Sequence, residues 1–94
     1  MKLRWSERAL SNIGEMHAYI FRDNPRAAAS TVDRIESAAA ALCDSPRAGH
    51  KGRVSGTREF VVPATPYILA YTLEHDAIYI LAVIHGKQRW PENL

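Results

Sequence analysis

Cationic and aromatic side chains are concentrated near the end of this 94-residue chain. The run reads His85-Gly86-Lys87-Gln88-Arg89-Trp90-Pro91 and directly follows an apolar segment. An imidazole titrates near neutral pH, so His85 is a candidate general acid or base, or a histidine bonded to a backbone carbonyl at a strand end. Lys87 and Arg89 can bind phosphate or carboxylate groups, and Trp90 can stack on a base or pack beneath helices. Recognition or catalysis is therefore expected first at this end of the chain.

A second basic segment lies in the middle of the chain, at positions 47–56, and reads RAGHKGRVSG. Glycine-rich polar segments form surface loops, and such loops often carry binding groups. Two interpretations stay open. The segment is either a solvated connector with a short strand near Gly52–Val54, or a cationic loop that meets a phosphate or an acidic partner. The predicted target-binding residues are Lys51, Arg53, Lys87, Arg89 and Trp90.

Other kinds of site have less support in the sequence. No two of the four histidines have the i, i+4 spacing of a helical metal site, and the single cysteine, Cys43, has no partner, so we expect neither a metal nor a cofactor. RNA cleavage without metal needs a base, an acid and a cation for the phosphate. His85, Arg89 and Lys87 can supply some of these roles, and Arg58 is a further catalytic candidate, but no complete catalytic set emerges. The simplest interpretation of Arg58 is an ion pair with its neighbour Glu59.

The composition limits the class of protein. Ninety-four residues are enough for one domain, spanning 1–94, with one modest core, and 47% hydrophobic residues exclude a disordered chain. No apolar run is long enough to cross a membrane, and the first eight residues lack the apolar region of a secretory signal. One cysteine fits a reducing compartment, here the cytoplasm. The net charge of +2 is too small by itself to indicate nucleic-acid binding.

The residue pattern predicts the elements that must position these groups. Three apolar runs, Arg58–Val62, Tyr67–Leu73 and Ala77–Ile84, are rich in β-formers and too short for helices, which indicates an antiparallel meander. Leu3 and Trp5 alternate with charged residues and predict a short first strand.

Two helices are predicted between the first strand and the basic loop. Ser6 is a candidate N-cap for a first helix that runs to about Arg22, on which Ala9, Leu10, Ile13, Met16, His17 and Ile20 share one face. Asn24 and Pro25 predict the start of a second helix, which ends near Cys43. The expected fold is α+β and two-layered, with the N-terminal strand and the helix hairpin packed on a small antiparallel sheet.

The pairing of the last two strands decides which residues share a face. With His75 and Asp76 at the centre of the turn, the facing pairs are Leu73 with Ile78, Tyr71 with Ile80, Leu69 with Ala82, and Tyr67 with Ile84. One face is then apolar and receives the helices. The other carries Ile68, Ala70, Thr72, Glu74, Tyr79, Leu81, Val83 and His85. The four apolar residues Ile68, Ala70, Leu81 and Val83 form an exposed patch that predicts a partner-binding surface.

The chain resembles the RelE/ParE superfamily of toxin–antitoxin toxins over nearly its whole length. The resemblance rests on the opening KLRWSERAL, the helix hairpin and the segment REFVVPATPYILAYTLEHDAIYILAVIHGKQRWP. It implies a cytoplasmic bacterial toxin that a cognate antitoxin, encoded by the adjacent gene, neutralises in a hetero-oligomeric complex. The antitoxin is then the expected partner of the patch formed by Ile68, Ala70, Leu81 and Val83.

The resemblance also implies a choice between two targets. RelE-like members cut messenger RNA on the ribosome and commonly carry an arginine in the middle strand of the meander, where this chain has Ile68. ParE-like members poison DNA gyrase, and their last strand often ends in an I-L-H-x-R-like pattern, to which the stretch Val83–Arg89 is similar. The resemblance therefore favours a gyrase inhibitor that is not an enzyme. The alternatives are a ribosome-dependent endoribonuclease that uses His85 with Arg89 or Arg58, and an inactive member retained for antitoxin binding.

Overall fold

Two antiparallel helices cover one face of a five-stranded sheet in the computed structural model, which describes residues 1–94. The elements, in chain order, are β1 (Lys2–Trp5), α1 (Glu7–Phe21), α2 (Pro25–Asp44), β2 (His50–Lys51), β3 (Arg58–Val61), β4 (Tyr67–Glu74) and β5 (Ala77–His85). The α+β, two-layer prediction is confirmed. Neither helix combines the length and the apolar character needed to cross a membrane.

Both helices begin where the sequence predicts. The Ser6 hydroxyl accepts a hydrogen bond from the backbone N–H of Ala9 at 3.0 Å. The side-chain oxygen of Asn24 accepts one from Ala27 at 3.1 Å, and Pro25 occupies the first turn, where its missing N–H costs nothing. Local chemistry therefore sets the two helix starts.

The strands lie in the order β1-β5-β4-β3-β2. The meander β3-β4-β5 is antiparallel as predicted, whereas β1 pairs in parallel with β5, so the sheet is mixed. The short strand expected near Gly52–Val54 lies instead at His50–Lys51, opposite Glu59 and Arg58. The N-terminal strand thus closes one edge of the sheet, and the basic loop supplies the strand at the other.

A β-bulge divides the pairing of β4 with β5 into two registers. On the turn side, Leu73 faces Ile78 and Tyr71 faces Ile80, as predicted. Beyond that point β5 contains one extra residue, Leu81, so Ala70 faces Ala82. The later part of the predicted register is therefore wrong by one residue, because a bulge exchanges the two faces of the strand that carries it.

The exchanged faces change the surroundings of the residues near the end of β5. Leu69 faces Val83 and Tyr67 faces His85, instead of Ala82 and Ile84. Val83 therefore joins the main core beneath the helices, and His85 lies on the helix side of the sheet.

The main core lies between the helix hairpin and the sheet. Its buried members are Ala9, Met16, Ile35, Ala38, Ala39, Leu42, Val62, Leu69, Tyr71, Ile78, Ile80 and Val83. The small side chains of α2 allow it to approach the sheet closely. A second cluster of Ala70, Ala82 and Ile84 lies on the opposite face, which we call the open face, and the tail residues Trp90 and Leu94 pack against it.

Candidate functional site

An ion pair between Arg53 and Glu59 organises the open face beside β3. The guanidinium Nε and Nη2 atoms donate to the two carboxylate oxygens at 3.1 and 3.0 Å, and the backbone N–H of Arg53 donates to Oε2 at 2.8 Å. His50 Nε2 lies 3.6 Å from the same carboxylate. Burial by itself raises the pKa of Glu59, but the hydrogen bonds and charge of Arg53 outweigh burial and hold that pKa below its usual value. The expected pairing of Glu59 with Arg58 is wrong.

The ring of Trp90 lies against the Arg53 guanidinium of this ion pair. The guanidinium carbon of Arg53 is 3.7 Å from the centroid of the Trp90 ring, in a cation–π contact. Trp90 also packs against the cluster of Ala70, Ala82 and Ile84, so it lies on the face opposite the helix hairpin and not beneath it. This contact joins the two basic segments of the sequence at one end of the molecule.

Arg58 lies on the other side of the sheet, paired with Tyr71, and holds the loop that follows α2. Its Nη1 atom donates to the carbonyl of Gly49 at 2.6 Å. The buried hydroxyl of Tyr71 donates to the carbonyl of Pro46 at 2.8 Å and accepts from the N–H of Gly49 at 3.0 Å. A Cβ on Gly49 would lie 2.7 Å from the carbonyl oxygen of Glu59, so this close approach requires glycine. In this arrangement Arg58 binds backbone.

His85 lies at the end of β5, against the ring of Tyr67. The two ring centroids are 5.4 Å apart in an edge-to-face contact, and His85 Nδ1 accepts a hydrogen bond from the N–H of Lys87 at 3.1 Å. That bond places the ring proton of neutral His85 on Nε2. Burial, together with the nearby Tyr19, raises the pKa of Tyr67, so the phenol keeps its proton at neutral pH. The four groups Glu15, Tyr19, Tyr67 and His85 share an open depression of about 460 Å³ beside α1. His85 lines this depression and has an Nε2–H that can donate a hydrogen bond.

The other three cations of the predicted target-binding set are not paired with any group of the chain. The side chains of Lys51, Lys87 and Arg89 are exposed and form no hydrogen bond or ion pair within the chain. Lys87 and Arg89 extend from the turn that follows β5. Of the five predicted target-binding residues, three are therefore free cations, while Arg53 and Trp90 are engaged with each other.

The predicted apolar patch is only partly open. Ile68 and Leu81 are half-buried, but Ala70 is fully buried in the open-face cluster and Val83 is 4% exposed in the main core. The prediction that Ala70 and Val83 are exposed is therefore wrong. The tail covers Ala70, and the bulge turns Val83 toward the helices.

A second apolar surface, which sequence reasoning missed, lies on the outer side of α1. Leu10, expected in the core, is 55% exposed, and Phe21 is 51% exposed and stacks on His17. Leu10, Gly14, His17 and Phe21 follow the spacing i, i+4, i+7, i+11. They form a row beside the core-facing row of Ala9, Ile13, Met16 and Ile20. The helical spacing of this second row is the sequence pattern that could have predicted the surface. We call Leu10, Gly14, His17 and Phe21 the outer row of α1.

No group of three or more histidine, cysteine, aspartate or glutamate side chains is arranged to bind a metal ion. Arg53, Glu59, His85 and Gln88 form hydrogen bonds within the chain, whereas the side chains of Lys51, Lys87 and Arg89 remain exposed. Such an arrangement can bind a macromolecule that carries negative charge.

Comparison with known proteins identifies relatives of this chain. The sequence pattern of a family described as "ParE toxin of type II toxin-antitoxin system, parDE" matches residues 3–90. A protein of Sinorhizobium fredii named "Putative toxin Y4kP" is 44% identical over 93 residues, which cover 99% of this chain and 96% of that protein. "Toxin RelE2" of Caulobacter vibrioides is 28% identical over 84 residues, covering 89% of this chain and 93% of that one.

A solved structure has the same fold. It is described as "Chromosomal ParDE TA system from P. aeruginosa", and a chain of it superposes with a TM-score of 0.82 at 20% identity, covering 90% of this chain and 95% of that chain. The match to the family extends over both helices and all five strands. This chain therefore belongs to the ParE toxin family of type II toxin–antitoxin systems.

Proposed function

We propose that this toxin acts by binding DNA gyrase and inhibiting it, without performing a reaction of its own. The observation that carries the proposal is the pair of unpartnered cations, Lys87 and Arg89, on a tail that Trp90 anchors to the open face. Membership of the ParE family supports the same target, because the ParE-like branch is the one associated with gyrase. Gyrase works on the bacterial chromosome, so the proposal places the toxin in the cytoplasm.

The positions of the arginines support binding over phosphate chemistry. Arg53 is engaged with Glu59, and Arg58 with the carbonyl of Gly49, so both guanidinium groups already serve the fold. Ile68 occupies the middle-strand position where RelE-like toxins commonly carry an arginine. Charges at an exposed rim act mainly on the rate and specificity of association, which suits Lys51, Lys87 and Arg89.

The experiment measures supercoiling of relaxed plasmid by purified gyrase in the presence of the toxin. We expect inhibition or trapped cleaved DNA at micromolar toxin, and a potency at least roughly tenfold lower in the double variant Lys87→Ala, Arg89→Ala. Arg26→Ala, which removes an exposed arginine at the start of α2, is the matched control and keeps full potency. Unchanged supercoiling at micromolar wild-type toxin would exclude gyrase as the target.

The antitoxin is the partner that the family implies, and we propose two surfaces for it. The first combines Ile68 and Leu81 with Val61, which faces Ile68 across the β3–β4 pair and is 54% exposed. On the side of β3 that faces away from β4, the backbone at Val61 is unpaired, because β2 pairs only with Arg58 and Glu59. An extended antitoxin segment can therefore add to the sheet at this edge.

The second proposed antitoxin surface is the outer row of α1. A Cβ on Gly14 would meet no atom within 4 Å, so the helix has a notch between the exposed side chains of Leu10 and Phe21. Amphipathic helices dock on such rows through side chains spaced by one turn. An antitoxin helix that crosses at Gly14 would cover this surface.

A ribosome-dependent endoribonuclease is the second candidate. His85, with Nε2 as its hydrogen-bearing nitrogen, lies beside Tyr67 and Glu15 in an open depression, and one relative is named RelE2. Primer extension on messenger RNA after toxin induction distinguishes the two functions. Codon-specific cuts that disappear in His85→Ala would establish the nuclease. An absence of growth arrest on expression alone would instead favour an inactive member that only binds antitoxin.

A further inference from the structure

A cavity of about 440 Å³ lies between α1 and the tail that follows β5. The buried residues Ala82 and Ile84 lie at its base, and Arg8 of α1 and Arg89 of the tail are among the residues that line it. Its volume falls within the range of roughly 300–1,000 Å³ that is typical of ligand sites. The cavity adjoins the depression that contains His85 and Tyr67, and Asn12 and Gln88 line both.

Two amide side chains of the cavity have their oxygens already committed. The Asn12 oxygen accepts from the N–H of Val83 at 3.1 Å, and the Gln88 oxygen accepts from the N–H of His85 at 3.2 Å. A backbone N–H can bond only to an acceptor, so these bonds fix which end of each amide is oxygen. The NH2 groups of Asn12 and Gln88 are therefore the free ends, and they can only donate.

The other polar groups of the cavity are also mostly donors. The indole N–H of Trp90 is buried and has no hydrogen-bond partner. Arg8 uses one N–H on the carbonyl of Asn93 at 3.1 Å and keeps the rest, while the Arg89 side chain makes no bond at all. Glu92 is the one acidic side chain of the lining. Five side chains that carry donors, two of them positively charged, thus line the cavity together with a single negative charge.

We propose that this cavity binds the carboxylate of an acidic side chain carried by a protein partner. A carboxylate is an acceptor with two oxygens, matches the fork of a guanidinium group, and balances the single net positive charge of the lining. The proposal rests on the proposed function only in taking this end of the toxin as a protein-binding surface.

A nucleic acid fits the cavity less well than an acidic peptide does. Recognition of single-stranded nucleic acid relies on bases that stack on a free aromatic face. The Trp90 ring already carries the Arg53 guanidinium 3.7 Å from its centroid and packs on the open-face cluster. The aromatic group of the cavity is therefore occupied.

The experiment follows the indole N–H signals of the full chain by two-dimensional NMR. The chain has two tryptophans, so Trp5, whose strand lies outside the cavity, is an internal reference for Trp90. The probes are acetyl-Leu-Glu-Leu-amide and its neutral match acetyl-Leu-Gln-Leu-amide. We expect a saturable downfield shift of the Trp90 indole proton with the glutamate peptide alone, at a Kd on the order of millimolar. Arg8→Gln and Arg89→Gln should each weaken binding several-fold, whereas Arg26→Gln should not.

Several outcomes would overturn the proposal. No shift, or equal shifts with the glutamate and glutamine peptides, would mean that the carboxylate is not recognised. A stronger saturable shift with a short oligothymidylate or with inorganic phosphate would assign the cavity to phosphate. Trp90→Phe keeps an aromatic ring without the N–H, and undiminished peptide binding, read from the backbone amides of residues 82–92, would exclude the indole donor.

The failure of this proposal is distinguishable from the failure of the proposed function. If wild-type toxin inhibits gyrase while the glutamate peptide leaves the Trp90 signal unmoved, the gyrase proposal stands and the cavity proposal is wrong. If the peptide binds as expected and gyrase is unaffected, the cavity is a protein-binding site and its partner is not gyrase.

Discussion

Arg53 supplies all three hydrogen bonds that the buried carboxylate of Glu59 receives, two from its guanidinium group and one from its own backbone N–H. Glu59 is 2% exposed, whereas the Arg53 side chain is half-exposed and lies against Trp90. The ion pair therefore fixes the loop after β2 to strand β3 and gives the tail a surface to pack on. Arg53, which the basic composition of its loop suggested as a ligand-binding residue, therefore has a structural function.

The lowered pKa of Glu59 predicts how stability depends on pH. A carboxylate with a folded-state pKa below its ordinary value of 4.5 contributes stability above that value and loses the contribution as pH falls through the folded pKa. We expect Glu59→Gln to destabilise the protein by about 1–2 kcal/mol at neutral pH, since a charge-assisted pair with a half-exposed arginine is lost. The difference between variant and wild type should shrink at lower pH. Urea unfolding between about pH 3 and 7 measures this, and a constant difference across that range would contradict the linkage.

Tyr71→Phe tests how the loop after α2 is held. The variant keeps the buried ring but removes the hydroxyl that bonds both the carbonyl of Pro46 and the N–H of Gly49. Two backbone groups then lose a partner, so we expect a loss of about 1–3 kcal/mol in the free energy of unfolding. Tyr79→Phe is the matched control, because the Tyr79 ring is exposed and its hydroxyl makes no hydrogen bond, and it should change stability by less than about 0.5 kcal/mol. Equal effects of the two variants would argue against the anchoring contacts.

Gly14→Ala separates stability from antitoxin binding. The added methyl group meets no neighbouring atom, and alanine has a higher helix propensity than glycine. The free energy of unfolding of the free toxin should therefore rise by about 0.5–1 kcal/mol. If an antitoxin helix crosses at Gly14, the same methyl group obstructs it and binding should weaken roughly tenfold. Isothermal titration with the antitoxin and urea unfolding of the toxin give the two quantities. Glu36→Ala, at an exposed position of α2, is the control, and unchanged affinity of Gly14→Ala would move the antitoxin away from the outer row of α1.

Features set by short-range chemistry could be predicted from the sequence. Ser6 and the Asn24-Pro25 pair specify the helix starts, and the β-branched and aromatic runs specify the meander. The sequence already argued against an ion pair between Arg58 and Glu59, because adjacent residues of a strand point to opposite faces. That Arg53 is the partner of Glu59 could not be predicted, since it depends on how the loop returns over the open face.

The bulge at Leu81 was beyond the sequence pattern because both faces of β5 are apolar. Alternation cannot fix a register when Val83 and Ile84 suit either side equally. Beyond the end of β1, Ser6 at the N-cap of α1 and Asn12 of α1 form hydrogen bonds with the backbone of β5 at the bulge and just after it. The hydroxyl of Ser6 donates to the carbonyl of Leu81 at 2.9 Å, and the Asn12 oxygen accepts from the N–H of Val83 at 3.1 Å.

Asn12→Ala tests whether this edge contact holds the bulge in place. The substitution leaves the N–H of Val83 without its partner beneath α1, and an unpaired backbone group of this kind costs about 1–3 kcal/mol. Asn12→Asp keeps a side-chain oxygen as acceptor and should retain most of the stability, so the pair of variants separates the hydrogen bond from the volume of the side chain. Hydrogen exchange of the Val83 amide gives a local readout. It should be faster in the alanine variant and near the wild-type rate in the aspartate variant, whereas equal protection in all three proteins would show that the register of β5 does not depend on Asn12.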